Sequence, residues 1–170
     1  LRKQADTVIS SIPVFNFQST LRNGYFKLAS MPEAVNNINF KAEAFCPDGN
    51  YTHTHFNIAD LNANMLSNYI KGYLRISNAQ QPLIDAKLES VLHLSDIKKV
   101  YPIDSLDMTG DLAINVVTKG TYLPAKRLFP VTTGKLTMNN GTVQTKYYPH
   151  PLEKINIDAT ITNTTGTMRS

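Results

Sequence analysis

From Leu106 to Val116 the chain reads Leu-Asp-Met-Thr-Gly-Asp-Leu-Ala-Ile-Asn-Val, with the even-numbered positions apolar or glycine and the odd ones mostly polar. A period of two sends successive side chains to opposite faces, so this segment can hide its apolar row only as a half-buried strand, with Gly110 the place for a bend. The same alternation returns in Ile38-Phe40-Ala42-Ala44, Phe56-Ile58, Ile84-Ala86-Leu88-Ser90-Leu92-Leu94, Leu136-Met138 and Ile155-Ile157-Ala159-Ile161. Each run has one greasy face and one wet face. The expected fold is therefore all-β and mainly antiparallel, an extended sheet that curls into a β-groove to protect its apolar side. Two stretches break the pattern. Ser95 to Tyr101, before Pro102, and Ala125 to Phe129, before Pro130, read as short helical turns. Asp60 to Ile70, rich in Asn, reads as a loop or a poor helix. Asn23-Gly24 and Asn140-Gly141 carry the signature of tight hairpins, and Pro47-Asp48-Gly49-Asn50 that of a turn.

Part of this pattern occurs twice. Thr20-Leu21-Arg22-Asn23-Gly24 returns as Thr137-Met138-Asn139-Asn140-Gly141, and at the same offset of 117 residues Pro32 returns as Pro149, Ile38-Asn39 as Ile155-Asn156 and Ala42 as Ala159. Val35 is answered by Leu152 and Phe40 by Ile157. A fixed period implies one structural unit used more than once. The second copy has no counterpart of the Tyr51 to Asp60 segment, so residues 1–170 are expected to be a single β domain cut from a longer repetitive chain.

At 170 residues and 42% hydrophobic content the chain is long and apolar enough to fold. Its charged fraction of 18% and its wealth of Asn and Thr favour strands over helices with charged faces. The net charge of +4 is spread over isolated positions such as Lys71, Arg75, Lys87, Lys119 and Lys146. Nucleic-acid binding, which gathers cations along one stripe, is not expected. Cys46 stands alone, so no internal disulfide can form, and it reads as a small residue at a strand end. No apolar run is long enough to span a membrane as a helix. A sequence that starts at Leu1 leaves room for an anchor or export signal upstream.

Constellations that would carry catalysis are thin. His53 and His55, two apart, would share one strand face and could present two ligands to a metal, but no third ligand stands nearby at a suitable spacing. His93 and His150 have no sequence-local partner that would make either a general base. Asp104, Asp107 and Asp111 cluster, yet Leu106 falls where a calcium loop needs a ligand. Neither a phosphate-cradling glycine loop nor a nucleophile elbow is present. The triplets at Asn50, Asn140 and Asn163 fit glycosylation acceptors but arise readily in a chain this rich in Asn and Thr. No enzyme activity, cofactor or metal is expected.

The stretch Leu106 to Gly120 with its Gly110-x-Leu112-x-Ile114 centre, followed by Leu128-Phe129-Pro130-Val131-Thr132 and by Asn140-Gly141 to Leu152-Glu153-Lys154-Ile155, resembles the repeat region of AsmA-like proteins of the bacterial envelope. The resemblance covers about residues 20 to 165 and rests on loose strand and glycine patterns, so it carries no defined functional residue. It implies a periplasmic protein anchored to the inner membrane by segments absent from this sequence. Repeated sheets would form a hydrophobic trough used in phospholipid transport and outer-membrane assembly. The lining expected here is Ile38, Phe40, Leu88, Leu92, Met108, Leu112, Ile114, Val116, Ile155 and Ile157, with a phospholipid or other acyl chain as the partner. The competing expectation is a β-sandwich-like interaction or adhesion module that binds protein or glycan through Tyr101, Tyr147 and Tyr148.

Overall fold

Strands that follow one another through short connections stay paired most simply when each lies beside its predecessor. The computed structural model, which describes residues 11–29, 33–100, 105–164 and 166, follows that rule throughout. Eight antiparallel strands form one open sheet in sequence order: β1 (Phe15–Phe26), β2 (Val35–Cys46), β3 (His55–Met65), β4 (Asn68–Ser77), β5 (Leu83–His93), β6 (Leu106–Thr121), β7 (Val131–Thr145) and β8 (Leu152–Asn163). One helix, α1 (Leu94–Val100), and 3-10 turns at Tyr51–His53 and Pro124–Lys126 interrupt the meander. The two helical turns expected from sequence are thus α1 and the turn at Pro124–Lys126. Tyr101, Pro102, Asp104 and Pro32 lie outside the described residues.

Two local expectations are corrected. Asn23-Gly24 and Asn140-Gly141 do not close hairpins: they lie inside β1 and β7, where the pairing slips by one residue. Asn23 and Asn140 do take the left-handed conformation, with φ of 52° and 48°, but they use it to form β-bulges. The segment from Asp60 to Ile70 is neither loop nor helix. It holds the end of β3, a two-residue connection at Leu66 and Ser67, and the start of β4. Leu66 supplies the positive φ of 53° that Gly or Asn would usually give, which is why the turn is silent in the sequence.

The repeated unit is a pair of compensating bulges. In β1 and β2 the register slips between Leu21 and Gly24 and recovers before Phe26; in β7 and β8 it slips between Met138 and Gly141 and recovers before Val143. The recovering residues, Asn37 and Lys154, have φ of 51° and 53°. In each copy one asparagine clasps the two bulges together. Asn39 Oδ1 accepts from the Asn23 N–H at 2.9 Å while its Nδ2 donates to the Asn37 carbonyl at 2.7 Å. Asn156 does the same to Asn140 at 2.9 Å and to Lys154 at 3.0 Å. Every one of these positions is 117 residues from its counterpart. Between the bulged flanks, β4–β5 and β5–β6 pair without a slip.

Gly110, with φ of 111°, lies where β6 meets the β7 bulge, and a Cβ on it would come within 2.7 Å of the Gly141 Cα. The pairing of β6 with β7 shifts at this point, as expected for a strand that bends there.

Candidate functional site

Register decides which side chains share a face. Leu61 pairs with Gly72, Gly72 with Leu88, Leu88 with Val116, Val116 with Gly134 and Gly134 with Ile161, a cross-strand row over six strands. The next row on the same face runs Ala63, Ile70, Ser90, Ile114, Leu136, Ala159, and beyond it Leu92, Leu112, Met138 and Ile157 follow. On the flanks, Phe40 pairs with Leu21, Ile38 with Gly24, Met108 with Val143 and Ile155 with Gly141. All the lining residues expected from sequence therefore fall on one face of one sheet.

That face is largely uncovered. Among the described residues no second sheet lies over it, and the buried apolar side chains are only Ala34, Cys46, Leu94 and Met138. The surface accessible to solvent is 11817 Å², whereas a compact monomer of 18.9 kDa would expose roughly 8,300 Å². Leu88, Ile157 and Ile161 in these rows are 40%, 40% and 41% exposed, and Phe17, which joins the same face through its pairing with Ala44 and that of Ala44 with Phe56, is 58% exposed. Contiguous exposed apolar area on this scale is uncommon on monomers and marks a surface made to be covered.

The only described helix sits at one end of the sheet. α1 packs against β5 and β6, and the Asp96 carboxylate accepts from the Asn68 Nδ2 at 3.0 Å. Asn68 is 3% exposed and is a junction. Its Nδ2 also donates to the Met65 carbonyl at 2.9 Å, and its Oδ1 accepts the His93 N–H. Beside this junction a small hollow of about 90 Å³ is lined by Val35, Ala63, Met65, Ile70 and Leu92, among others. It opens from the end of the apolar rows.

Few polar groups on the apolar face are available to a ligand. The Ser90 hydroxyl donates to the Tyr69 carbonyl at 2.9 Å, and Thr118 and Thr132 bond each other at 2.8 Å. The opposite face is charged and mutually paired. Tyr73 donates to Asp85 at 3.0 Å and Tyr69 to Glu89 at 3.2 Å, diagonally across β4 and β5. These carboxylates, together with desolvation, hold both phenols above their ordinary pKa: the acceptor bond to Asp85 is the larger cause at Tyr73, desolvation at Tyr69. Arg75 and Lys119 approach Asp85 at 3.9 and 3.8 Å, and Lys71 and Arg75 lie over the rings of Tyr69 and Tyr73.

The histidines separate. His53 ends the 3-10 turn and His55 begins β3, so they do not share a strand face as the sequence spacing implied. His53 pairs with Asp48 at 2.6 Å, a bond that holds the Asp48 carboxyl below its usual pKa, while the His55 ring stacks on Phe45 at 4.7 Å. Sequence reasoning missed the partner of His93, which is Asp111, its register neighbour on β6. Strand pairing, not sequence proximity, brings the two together. Among the described residues no group of three ligating side chains could hold a metal. Cys46 is fully buried at the end of β2, its Sγ 3.4 Å from the Asn50 carbonyl. Tyr147 and Tyr148 are 80% and 61% exposed at the turn before β8.

No helix among the described residues is long and apolar enough to cross a membrane. What the fold and face define is a single-layer antiparallel sheet, amphipathic across its width. No protein-family model, no curated protein and no solved structure matches the chain.

Proposed function

We propose that the chain is a non-catalytic β-groove segment of an AsmA-like envelope protein, working in the periplasm, whose open face accommodates the acyl chains of phospholipid during transport and outer-membrane assembly. The observation that carries this reading is the uncovered apolar face continuous over eight strands. A two-tailed lipid leaving a bilayer exposes on the order of thirty methylenes at about 0.8 kcal/mol each, a cost that such a surface offsets.

Two residues on neighbouring strands make a matched test. Leu88 on the apolar face is 40% exposed and Val117 on the charged face is 39% exposed. Lipid that co-purifies is quantified by native mass spectrometry of the unaltered protein and of the Leu88→Glu and Val117→Glu variants. Lipid retained in Val117→Glu and lost from a folded Leu88→Glu supports the groove, and the doubly altered Leu112→Glu, Ile114→Glu chain extends the comparison to the centre of the face. A protein that carries no lipid and takes none up from vesicles sinks the reading. The exposed Tyr147 and Tyr148 would then favour an interaction module that binds protein or glycan.

A further inference from the structure

Three triplets of the chain have the form Asn-x-Thr, starting at Asn50, Asn140 and Asn163. Such a triplet can accept an N-linked glycan where its backbone stands clear of the sheet and its carboxamide nitrogen is free. Asn140 fails the first condition. It sits in the β7 bulge, and the residues after it are held on both sides, Gly141 by Ile155 of β8 and Thr142 by Thr109 of β6. Asn163 fails the second, because its Nδ2 donates to the Pro130 carbonyl at 3.0 Å. Asn50 meets both. It is exposed where β2 turns into β3, it is followed by the 3-10 turn Tyr51–His53 outside the sheet, and among the described residues its Nδ2 has no partner. The geometry points to Asn50 as a site of N-linked glycosylation, taking an oligosaccharide from a lipid-pyrophosphate donor.

The neighbouring side chains prepare the carboxamide for this. Thr52 donates to Asn50 Oδ1 twice, from its hydroxyl at 2.8 Å and from its N–H at 2.9 Å, which leaves both protons of Nδ2 outside the turn. Asp48 is an acid two places before the asparagine, which neither other triplet has. Its Oδ1 accepts the Asn50 N–H at 3.0 Å and its Oδ2 holds His53 at 2.6 Å, so the turn is braced on both sides of Asn50. An amide nitrogen is a poor nucleophile because its lone pair is delocalised into the carbonyl. Loss of a proton restores it, and the charge that then gathers on Oδ1 meets the two Thr52 donors. The bond that forms joins Nδ2 to C1 of the first sugar. The bond that breaks joins C1 to the pyrophosphate oxygen, so lipid pyrophosphate leaves with the electron pair and the Nδ2 proton passes to a base of the transferase. The β2–β3 turn lies at the end of the sheet away from α1, so a glycan there stands clear of the apolar rows. The site goes beyond the groove reading and shares with it the placement outside the cytoplasm.

To test this, the chain is recovered from the periplasm of its own cells and digested, and the peptides holding Asn50, Asn140 and Asn163 are read by mass spectrometry. The expected result is a glycan on Asn50 and none on the other two. Two variants made in the same cells separate acceptor from mere turn former. Thr52→Ser keeps the hydroxyl and should keep the glycan, whereas Thr52→Val keeps the shape and the N–H bond to Asn50 and should lose it. Unmodified Asn50 in the periplasmic chain, a glycan on Asn140 or Asn163 in its place, or occupancy that survives Thr52→Val overturns the inference. The lipid content of the same preparations reports on the groove separately, and a chain found in the cytoplasm alone overturns both readings.

Discussion

Removing one asparagine should loosen one pair of bulges and leave its twin intact. Asn156 accepts from the Asn140 N–H and donates to the Lys154 carbonyl, so Asn156→Ala deletes two hydrogen bonds that hold two left-handed residues. A neutral bond contributes about 0.5–1.5 kcal/mol net, and because these are exposed, water replaces part of the loss, so the pair is worth about 1–2 kcal/mol. In a chain of this size that lowers Tm by roughly 3–6 °C. Global unfolding alone would not prove the mechanism, so the assay is hydrogen exchange at single amides. The Asn140 amide should exchange roughly 5- to 30-fold faster in Asn156→Ala while the Asn23 amide is unaffected, and Asn39→Ala should do the reverse. The two costs should agree within about 0.5 kcal/mol and add in the double variant, since the clasps share no partner. Unequal costs, or exchange at Asn140 that responds to Asn39→Ala, would refute the claim that these are two independent copies of one device.

Gly72→Ala places a Cβ 2.1 Å from the Lys87 carbonyl oxygen, a backbone atom in the uninterrupted β4–β5 pairing, and should cost about 3 kcal/mol in urea unfolding. Gly141→Ala meets the Met138 Cε at 2.3 Å first, the far end of an unbranched side chain that can change rotamer, and should cost about 1 kcal/mol. Asn68→Ala removes the junction between α1 and the β3–β4 hairpin, including a bond to a carboxylate, and should destabilise the fold by about 2–4 kcal/mol, read by the same unfolding curves. The Asp48 carboxyl is held below its ordinary 3.8, first by the hydrogen bond to His53 and then by the Asn50 N–H, so its contribution is complete above that pH and fades as pH falls through the lowered value; an NMR titration should show the lowered midpoint, and His53→Ala should raise it toward the ordinary one. Tyr73 titrates above 10.0, so what it adds to stability is complete below pH 10 and is lost as pH rises through the raised value; Asp85→Asn should lower the midpoint seen by ultraviolet absorbance.

The sheet and its apolar face were legible because period-two alternation encodes both at once. Leu106 to Val116 and Ile155 to Ile161 could not be strands without presenting Leu112, Ile114, Ile155 and Ile157 to one side, and antiparallel pairing keeps that side in common. The bulges were legible as a repeat but not as bulges. Asn-Gly reports a backbone that must reach positive φ, and a hairpin turn and a bulge both satisfy that demand. The β3–β4 hairpin was hidden for the converse reason, since Leu66 adopts positive φ without any residue type to announce it. The pairing of His93 with Asp111 and the junction at Asn68 depend on strand register and on where α1 docks. Neither is written in the local sequence.

How the face would be covered can be argued from what it lacks. Phe17 is 58% exposed, and an aromatic side chain of about 150–250 Å² leaves roughly 100 Å² in water at that exposure, or about 2.5 kcal/mol recoverable on covering it. Many such increments are available, yet none is directional. Three hydroxyls on this face are committed to protein acceptors, Ser90 to Tyr69 and Thr118 and Thr132 to each other, so few groups remain to orient a head group. Gly72 and Gly134 notch the row between Leu61 and Ile161, which suits a flexible chain better than a rigid second sheet needing interdigitated side chains. Binding should therefore follow chain length and ignore head-group chemistry. Phosphatidylethanolamine and phosphatidylglycerol of equal chains should compete within about threefold, while each methylene pair lost from both tails should weaken binding by tenfold or more. A tenfold preference between head groups at equal chain length would mean that a polar site outside the apolar rows, and not the face itself, governs recognition.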